Sequence, residues 1–192
     1  MRKLVYYVGI SLDGYIAGPG GEWDFMLLDD VTTWITQRYP DTVPTHIRPH
    51  VGLEGTDRQA FDTVVMGLGT YQPGLDVGVT SPYAHLKQHV VSTTLGEIAD
   101  PAVELVTGDP LGLVRELKAQ EGMDIWLAGG GKLAGTLLPE IDELVIKRYP
   151  VIAGAGIPAF DGAFLPTRFT PTRTESFDSG ASVTWFSRTP AA

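Results

Sequence analysis

The sequence contains no cysteine. That single absence removes disulfide scaffolds, thiolate zinc sites, iron–sulfur clusters and cysteine nucleophiles, and it fits a reducing compartment without requiring one. No apolar stretch approaches the roughly 20 residues of a membrane span. The first residues, Met1-Arg2-Lys3-Leu4-Val5-Tyr6-Tyr7, enter a strand pattern without the apolar core or small-residue cleavage site of a signal peptide. A cytoplasmic location is therefore expected, with no membrane as partner. Positive charge is scarce: 14 Lys and Arg stand against 23 Asp and Glu, a formal charge of −9. The densest basic stretch is only Lys147-Arg148. A negative field without a basic stripe argues against nucleic acid, so an anionic small ligand has to be held by local backbone dipoles and a few side chains. Neither a G-x-S-x-G elbow nor a Walker lysine motif occurs.

What is present suits a globular protein. The 192 residues are 43% hydrophobic and 19% charged, enough for one domain with a substantial core. No internal repeat or domain boundary is visible, so a single domain over 1–192 is expected. Short apolar runs rich in β-branched and aromatic residues predict strands at 4–10, 61–67, 89–92, 103–106, 124–128 and 143–149. Apolar spacing of three and four predicts a helix over 24–38, capped by Asp24, and others at 68–72 and 132–138. Asp109 followed by Pro110 predicts the start of another, closed by Gly122. Residues 56–61 suggest one helical turn, and the glycine- and proline-rich stretches 11–21, 73–82 and 150–167 read as loops. Two polar-alternating strands, 173–177 and 182–187, close the chain around a turn at Asp178-Ser179-Gly180. Strands alternate with helices and then pair locally, which predicts an α/β fold with a largely parallel sheet and an antiparallel C-terminal edge. Segment 36–60, with its prolines and no clear period, reads as a surface insertion and a candidate lid; 189–192 reads as a flexible tail.

The strongest chemical signal is Ile125-Trp126-Leu127-Ala128-Gly129-Gly130-Gly131-Lys132-Leu133. A strand ends, three glycines follow and a helix begins. Without Cβ atoms the backbone approaches a ligand closely, and free N–H groups at a helix start favour an anion such as pyrophosphate. A tight turn without a ligand is the alternative. The spacing is not the dinucleotide fingerprint G-x-G-x-x-G.

Val64-Val65-Met66-Gly67-Leu68-Gly69-Thr70-Tyr71 resembles the strand-to-helix segment of dihydrofolate reductases, His89-Val90-Val91-Ser92-Thr93-Thr94-Leu95 their adenosine-side strand, and the glycine triplet their pyrophosphate loop. Ser11-Leu12-Asp13-Gly14-Tyr15-Ile16-Ala17, Leu133-Ala134-Gly135-Thr136-Leu137-Leu138 and Ile141-Asp142-Glu143-Leu144 are more similar to the C-terminal reductase domain of the bifunctional riboflavin-biosynthesis deaminase–reductase. The resemblance covers nearly the whole chain except 36–60. With no cysteine and no room for a deaminase domain, a stand-alone member is expected. The resemblance implies a dihydrofolate reductase-like fold around about eight mostly parallel strands, NADPH as hydride donor, a small planar substrate of pterin or pyrimidine type, and commonly a homodimer. It further implies that Gly67, Leu68, Thr70, Ser92, Thr93, Gly129, Gly130, Gly131, Lys132 and Leu133 line the cofactor. Gly9, Ile16 and Ala17 then face the nicotinamide, while Asp13, Trp23, Asp24, Lys147 and Tyr149 border the substrate.

The departures are informative. Leu68 and Thr93 stand where the family has the arginines that pair with a 2′-phosphate, which leaves NADH as an alternative to NADPH. Ala128 stands where the riboflavin branch has a glutamate. Asp13 and Asp24 are the candidate proton donors, with Asp29 and Asp30 as rivals; each also reads as a turn, a cap or a solvated face. Trp23 can stack on a heterocycle or anchor a loop, and Tyr149 can be an ordinary strand tyrosine. The histidine pairs His46/His50 and His85/His89 have metal-ligand spacing on a helix, but Pro49 disfavours a helix at the first and no metal is expected. The competing function is a nucleotide-binding homologue that no longer turns over.

Overall fold

Residues 4–10 (LVYYVGI) offer no polar face, so this strand must be covered on both sides. In a computed structural model describing residues 1–190 it is. In chain order the strands are β1 (Leu4–Ile10), β2 (Tyr15–Ala17), β3 (Phe61–Gly67), β4 (Lys87–Val91), β5 (Val103–Val106), β6 (Asp124–Gly129), β7 (Glu143–Arg148), β8 (Ile157–Pro158), β9 (Phe169–Ser176) and β10 (Ser182–Arg188). The helices are α1 (Asp29–Arg38), α2 (Leu68–Asp76), α3 (Pro110–Ala119) and α4 (Gly131–Leu137). Eight strands form one sheet in the order β5-β4-β3-β6-β1-β7-β10-β9, and β2 pairs with β8 as a separate ribbon. Within the large sheet all pairings are parallel except β7–β10 and β10–β9. This is the α/β architecture the pattern predicts.

Period-two alternation divides the core. Val5 and Tyr7 join Val64, Met66, Trp126 and Val145 on one face, covered by Tyr71 of α2 and Trp34 of α1. Leu4, Tyr6 and Val8 join Val65, Ile125 and Leu127 on the other, covered by Val114 and Leu117 of α3 and Leu133, Ala134 and Leu137 of α4. Each fully buried side chain of this size contributes about 1.5–3 kcal/mol. β9 closes one edge with mostly exposed residues and carries Pro171, a residue an edge strand accommodates. The Asp178-Ser179-Gly180 turn forms with Gly180 at φ +86° and a Phe177 N–H to Ala181 O bond of 3.0 Å.

Several boundaries move. The expected helix over 24–38 is a 3₁₀ turn at Asp24–Met26 followed by α1 at Asp29, and the Asp24 side chain caps nothing. Asp29 and Asp30 occupy the first turn of α1 instead, where negative charge is favourable. α2 continues through Pro73 to Asp76. Asp109 caps α3 as expected, its Oδ1 accepting the Leu111 N–H at 3.0 Å. Thr189 donates its N–H to Arg168 O at 2.9 Å, so the tail is tied down there; Ala191 and Ala192 lie outside the described residues. Among the described residues no helix is long and apolar enough to cross a membrane.

The insertion expected over 36–60 is corrected in part: 36–38 complete α1 and most of 46–59 is exposed, but the segment is anchored in the interior. Asp41 is fully buried, and its carboxylate accepts the backbone N–H groups of Gln59 (3.0 and 3.1 Å), Ala60 (2.7 Å) and Phe61 (3.0 Å). Those donors are thereby withdrawn from the helical turn expected at 56–61, and the chain enters β3 extended. Buried Arg48 donates to Pro40 O (2.7 Å) and Thr56 O (2.8 Å), closing the segment on itself. Replacing Asp41 by alanine leaves three inward-facing donors unpaired, each costing about 1–3 kcal/mol. We expect Asp41→Ala to lose at least about 3 kcal/mol in urea unfolding; a loss below about 1 kcal/mol would show that the segment is held by other means.

Candidate functional site

The carboxyl ends of parallel strands point the backbone N–H groups of the following turns into one crevice, the usual ligand position in open α/β sheets. Here that crevice is a cleft of about 1520 Å³. Its floor comes from the ends of β1 (Tyr7, Gly9), β3 (Gly67), β4 (Val91) and β7 (Lys147) and from the β6–α4 junction (Ala128, Gly130, Gly131). One wall is the β2–β8 ribbon, through Ile16, Ala17 and Ile157; the other is α2 and residues 91–94. Segment 42–47 adds Thr42, Pro44, His46 and Ile47. The candidate lid segment thus forms part of the cleft wall, bonded to the head of β3 through Asp41 and closed on itself through Arg48.

The three glycines turn out to have three different physical reasons. Gly129 has φ +123°, a conformation L side chains rarely adopt, and a Cβ there would lie 3.4 Å from Thr70 Oγ1. The Gly129–Gly130 peptide is cis. Gly130 has ordinary extended backbone angles. A Cβ on it would reach only Ile16 Cδ1 and Thr70 Oγ1, each at 3.9 Å, so it would project into the cleft between two of its lining residues. Gly131 is required by packing, because a Cβ would stand 2.1 Å from Pro158 O. One turn on, a Cβ on Gly135 would meet Asp161 O at 2.3 Å.

Most of the residues singled out in the sequence meet at this cleft: Gly9, Ile16, Ala17, Trp23, Gly67, Leu68, Thr70, Ser92, Thr93, Gly130, Gly131, Lys132, Leu133 and Lys147 all line it. Gly129 and Tyr149 stand behind the surface. Tyr149 is buried beside Gly9, whose Cβ would fall 3.0 Å from Tyr149 Cε2. Burial, then the Asp30 carboxylate, push the Tyr149 phenol up to about 12. Ser92 Oγ accepts from Thr94 N (3.2 Å) and Leu95 N (3.0 Å), so its hydroxyl is spent on the turn, while Thr93 is exposed. Trp23 is 54% exposed at the rim.

The two candidate proton donors are not brought together with these. Asp13 lies outside the cleft lining. Its carboxylate accepts Ser11 Oγ (2.6 Å), Ala153 N (3.0 Å) and Gly154 N (2.7 Å), bonds that pull it down to about 2. It is a fixed anion that ties two loops together, unsuited to donate a proton near neutrality. Asp24 is exposed and also outside the lining. Asp30 accepts Val31 N and Ser179 N. Of the histidines, His85 engages both ring nitrogens, with Thr45 Oγ1 and Asp41 O at 2.9 Å each, and His46 lines the outer wall.

What sequence reasoning missed is the state of Lys147. It is only 9% exposed, and its Nζ lies 3.4 Å from the centroid of the Tyr7 ring. It enters none of the ion pairs among the described residues. Burial pushes the ammonium down to about 7. Beneath it, the Tyr7 hydroxyl is buried without a hydrogen-bond partner. The available signal was a lysine at a buried position of β7, directly across from Gly9.

The glycines make separable predictions. Gly131→Ala forces backbone apart and should cost about 1–3 kcal/mol of stability, whereas Gly130→Ala should stay within about 0.5 kcal/mol of wild type in denaturant unfolding. Equal losses would contradict the division of roles. Lys147 makes a pH prediction. Its folded value of about 7 lies below the roughly 10.4 of an unfolded lysine, so between these values the unfolded chain binds more protons and stability rises with pH. The penalty is fully present below pH 7. Relative to Lys147→Met, the wild type should gain on the order of a few kcal/mol from pH 7 to 10; a pH-independent difference would refute the buried-ammonium description.

YwjB, an uncharacterized protein of Bacillus subtilis (strain 168), is 29% identical over 184 residues, 95% of this chain and 96% of that one. A candidate riboflavin biosynthesis protein from Shewanella sp. PV-4 is similar in structure, with TM-score 0.69 and 28% identity over 99% of this chain and 100% of that one. The diaminohydroxyphosphoribosylaminopyrimidine deaminase/5-amino-6-(5-phosphoribosylamino)uracil reductase of Thermotoga maritima matches with TM-score 0.68 at 15% identity, over 98% of this chain and 57% of that one. The dihydrofolate reductase of Enterococcus faecalis, solved with NADP(H), has TM-score 0.66 at 12% identity over 98% and 97% of the two chains. The last two likenesses establish a dihydrofolate reductase-like fold. Residues 2–183 match the RibD C-terminal domain family, and the chain belongs to it.

Proposed function

We propose that the protein is a nicotinamide-dependent reductase of a small planar heterocycle. The observation that carries this reading is the glycine-floored cleft at the carboxyl ends of β1, β3, β4 and β6, in a chain of the RibD C-terminal domain family. Support comes from two neighbours in fold, one named for a uracil reductase and one solved with NADP(H). The cleft's 1520 Å³ exceed the roughly 300–1,000 Å³ of a single-ligand pocket, which suits a dinucleotide with a second ring beside it.

The residues fit such a group. Gly130 leaves open the space a Cβ would fill between Ile16 and Thr70. Gly67, Thr70, Gly130, Gly131, Lys132 and Leu133 would hold the pyrophosphate region; Leu68, Ser92 and Thr93 the adenosine end; Gly9, Ile16 and Ala17 the nicotinamide. A nicotinamide held there in its reduced form supplies a hydride. The chain's own contribution is positioning: Ile16 and Ala17 shield one ring face from water, and Trp23 and Lys147 border the space for a second ring. The cleft lining contains no arginine, so the bidentate pairing that selects a 2′-phosphate is missing. NADPH and NADH should therefore bind within about tenfold of each other, a difference of roughly 1.4 kcal/mol.

The test is titration of the protein with NADPH and with NADH, following tryptophan fluorescence. Saturable binding of both is expected, and Gly130→Ala should weaken it by about tenfold or more while the protein stays folded. No saturation at millimolar cofactor overturns the reading. NADPH oxidation is then measured with dihydrofolate and with 5-amino-6-(5-phosphoribosylamino)uracil as probes; binding without oxidation of either favours the nucleotide-binding homologue that does not turn over.

A further inference from the structure

Reduction of a C=N or C=O bond needs a proton as well as a hydride, and both aspartates expected to supply it lie elsewhere. We infer that Lys147 is the proton donor, its Nζ reaching the substrate atom adjacent to the carbon that receives the hydride. This inference rests on the reductase reading and assigns one catalytic residue within it.

Elimination narrows the choice. The ionisable side chains lining the cleft are Tyr7, His46, Tyr83, Lys132, Lys147 and Asp161. Lys132 and Asp161 are exposed and belong to the α4 end, where the Asp161 N–H bonds Gly131 O. His46 is exposed on the outer wall. Burial raises the phenols of Tyr83, to about 12, and of Tyr7, so neither releases a proton near neutrality. Lys147 combines burial with a place on the floor beside Gly9, the residue assigned to the nicotinamide side.

The surroundings explain how a lysine serves there. Gly9 stands opposite Lys147 in the β1–β7 register, and a Cβ on it would lie 3.8 Å from Lys147 Cε, so the missing side chain opens the path from Nζ to the cleft. The Tyr7 ring face attracts the ammonium, and burial opposes it with no carboxylate in compensation. The groups facing the site are Tyr7 from β1, Tyr149 after β7 with Asp30 of α1 behind it, and Tyr39 at the end of α1; β10 presents Val183 opposite. Burial raises all three phenols above their ordinary range, which makes them weaker acids than the lysine and poorer donors. A lysine poised in this way exchanges its proton readily.

The step balances. The carbon of the substrate's double bond gains a hydride, with its electron pair, from the reduced nicotinamide, which is oxidised. The π pair moves to the neighbouring nitrogen or oxygen, which takes a proton from Nζ. The N–H bond of Lys147 breaks, leaving a neutral amine, and solvent reprotonates it after the product leaves.

The first test does not depend on turnover. In protein labelled with ¹⁵N-lysine, one of the five Nζ signals should titrate near neutrality and be missing from Lys147→Met. Its midpoint should be lower with NADP⁺ bound than with NADPH, by about half a unit or more, because the oxidised ring places a positive charge nearby. A midpoint in the ordinary lysine range, or one indifferent to the oxidation state of the cofactor, overturns the inference while leaving the reductase reading intact. Failure of both cofactors to bind removes the reading and the inference together. The second test uses whichever probe is reduced. Lys147→Met should lower kcat by about a hundredfold with cofactor affinity unchanged, and should abolish the pH break near neutrality. Lys147→Arg retains the charge but not the transferable proton, so it should not restore kcat. Rescue by arginine would make the residue an electrostatic contact rather than the donor.

Discussion

Backbone meets backbone, with no side chain between, along the seam joining α4, the β2–β8 ribbon and the 157–162 loop. A Cβ would fall 2.1 Å from Pro158 O at Gly131, 2.3 Å from Asp161 O at Gly135, and 2.1 Å from Ala17 O at Gly156. These contacts set the distance between the glycine loop and Ile16, and so the width of the cleft. They also explain why a ribbon as short as β2–β8 holds its place: the loop that follows β8 is tied to the first turn of α4 through the Asp161 N–H to Gly131 O bond, and Tyr6, on the same face of the sheet as α4, donates its hydroxyl to Ala159 O at 2.9 Å.

The electrostatics run against the grain of the whole chain. A protein of net charge −9 keeps its acidic groups away from the cleft floor. Asp13 is locked into a loop–loop tie and Asp41 into a backbone clamp, while Asp30 caps the turn at Ser179. The floor is left with one uncompensated lysine on an aromatic face. Burying a charge without a partner is costly, and the fold accepts that cost at one end of β7 where the neighbouring strand contributes a glycine.

Much of this was legible in the sequence. The parallel strands announced themselves as continuous apolar runs, Asp109-Pro110 marked the start of α3, and the glycine triplet marked the floor of the site. Segment 41–60 was illegible for a definite reason. Its order comes from one buried carboxylate gathering N–H groups 18 to 20 residues away, and no local periodicity reports such a bond. Asp24 misled because an aspartate before an apolar period reads as a cap; the chain instead makes a 3₁₀ turn there and restarts at Asp29. Lys147 was visible as a residue but not as a state, since its neutral-range acidity depends on Tyr7, Gly9 and Tyr149 closing around it.

The Asp41 clamp has a consequence for how anything enters the cleft. The wall carrying Thr42, Pro44, His46 and Ile47 is bonded to the first residues of β3, so it cannot swing outward without unzipping the head of a central strand. The opposite rim is built differently. Residues 18–23 turn through glycines, and their bonds stay local: Gly18 N to Glu22 O, Gly20 N to Glu22 Oε2, Gly21 N to Gly18 O and Met26 N to Trp23 O, with Trp23 half in solvent. The two rims are therefore held unequally, one bonded across 18 to 20 residues into the head of β3 and the other only within its own glycine turn.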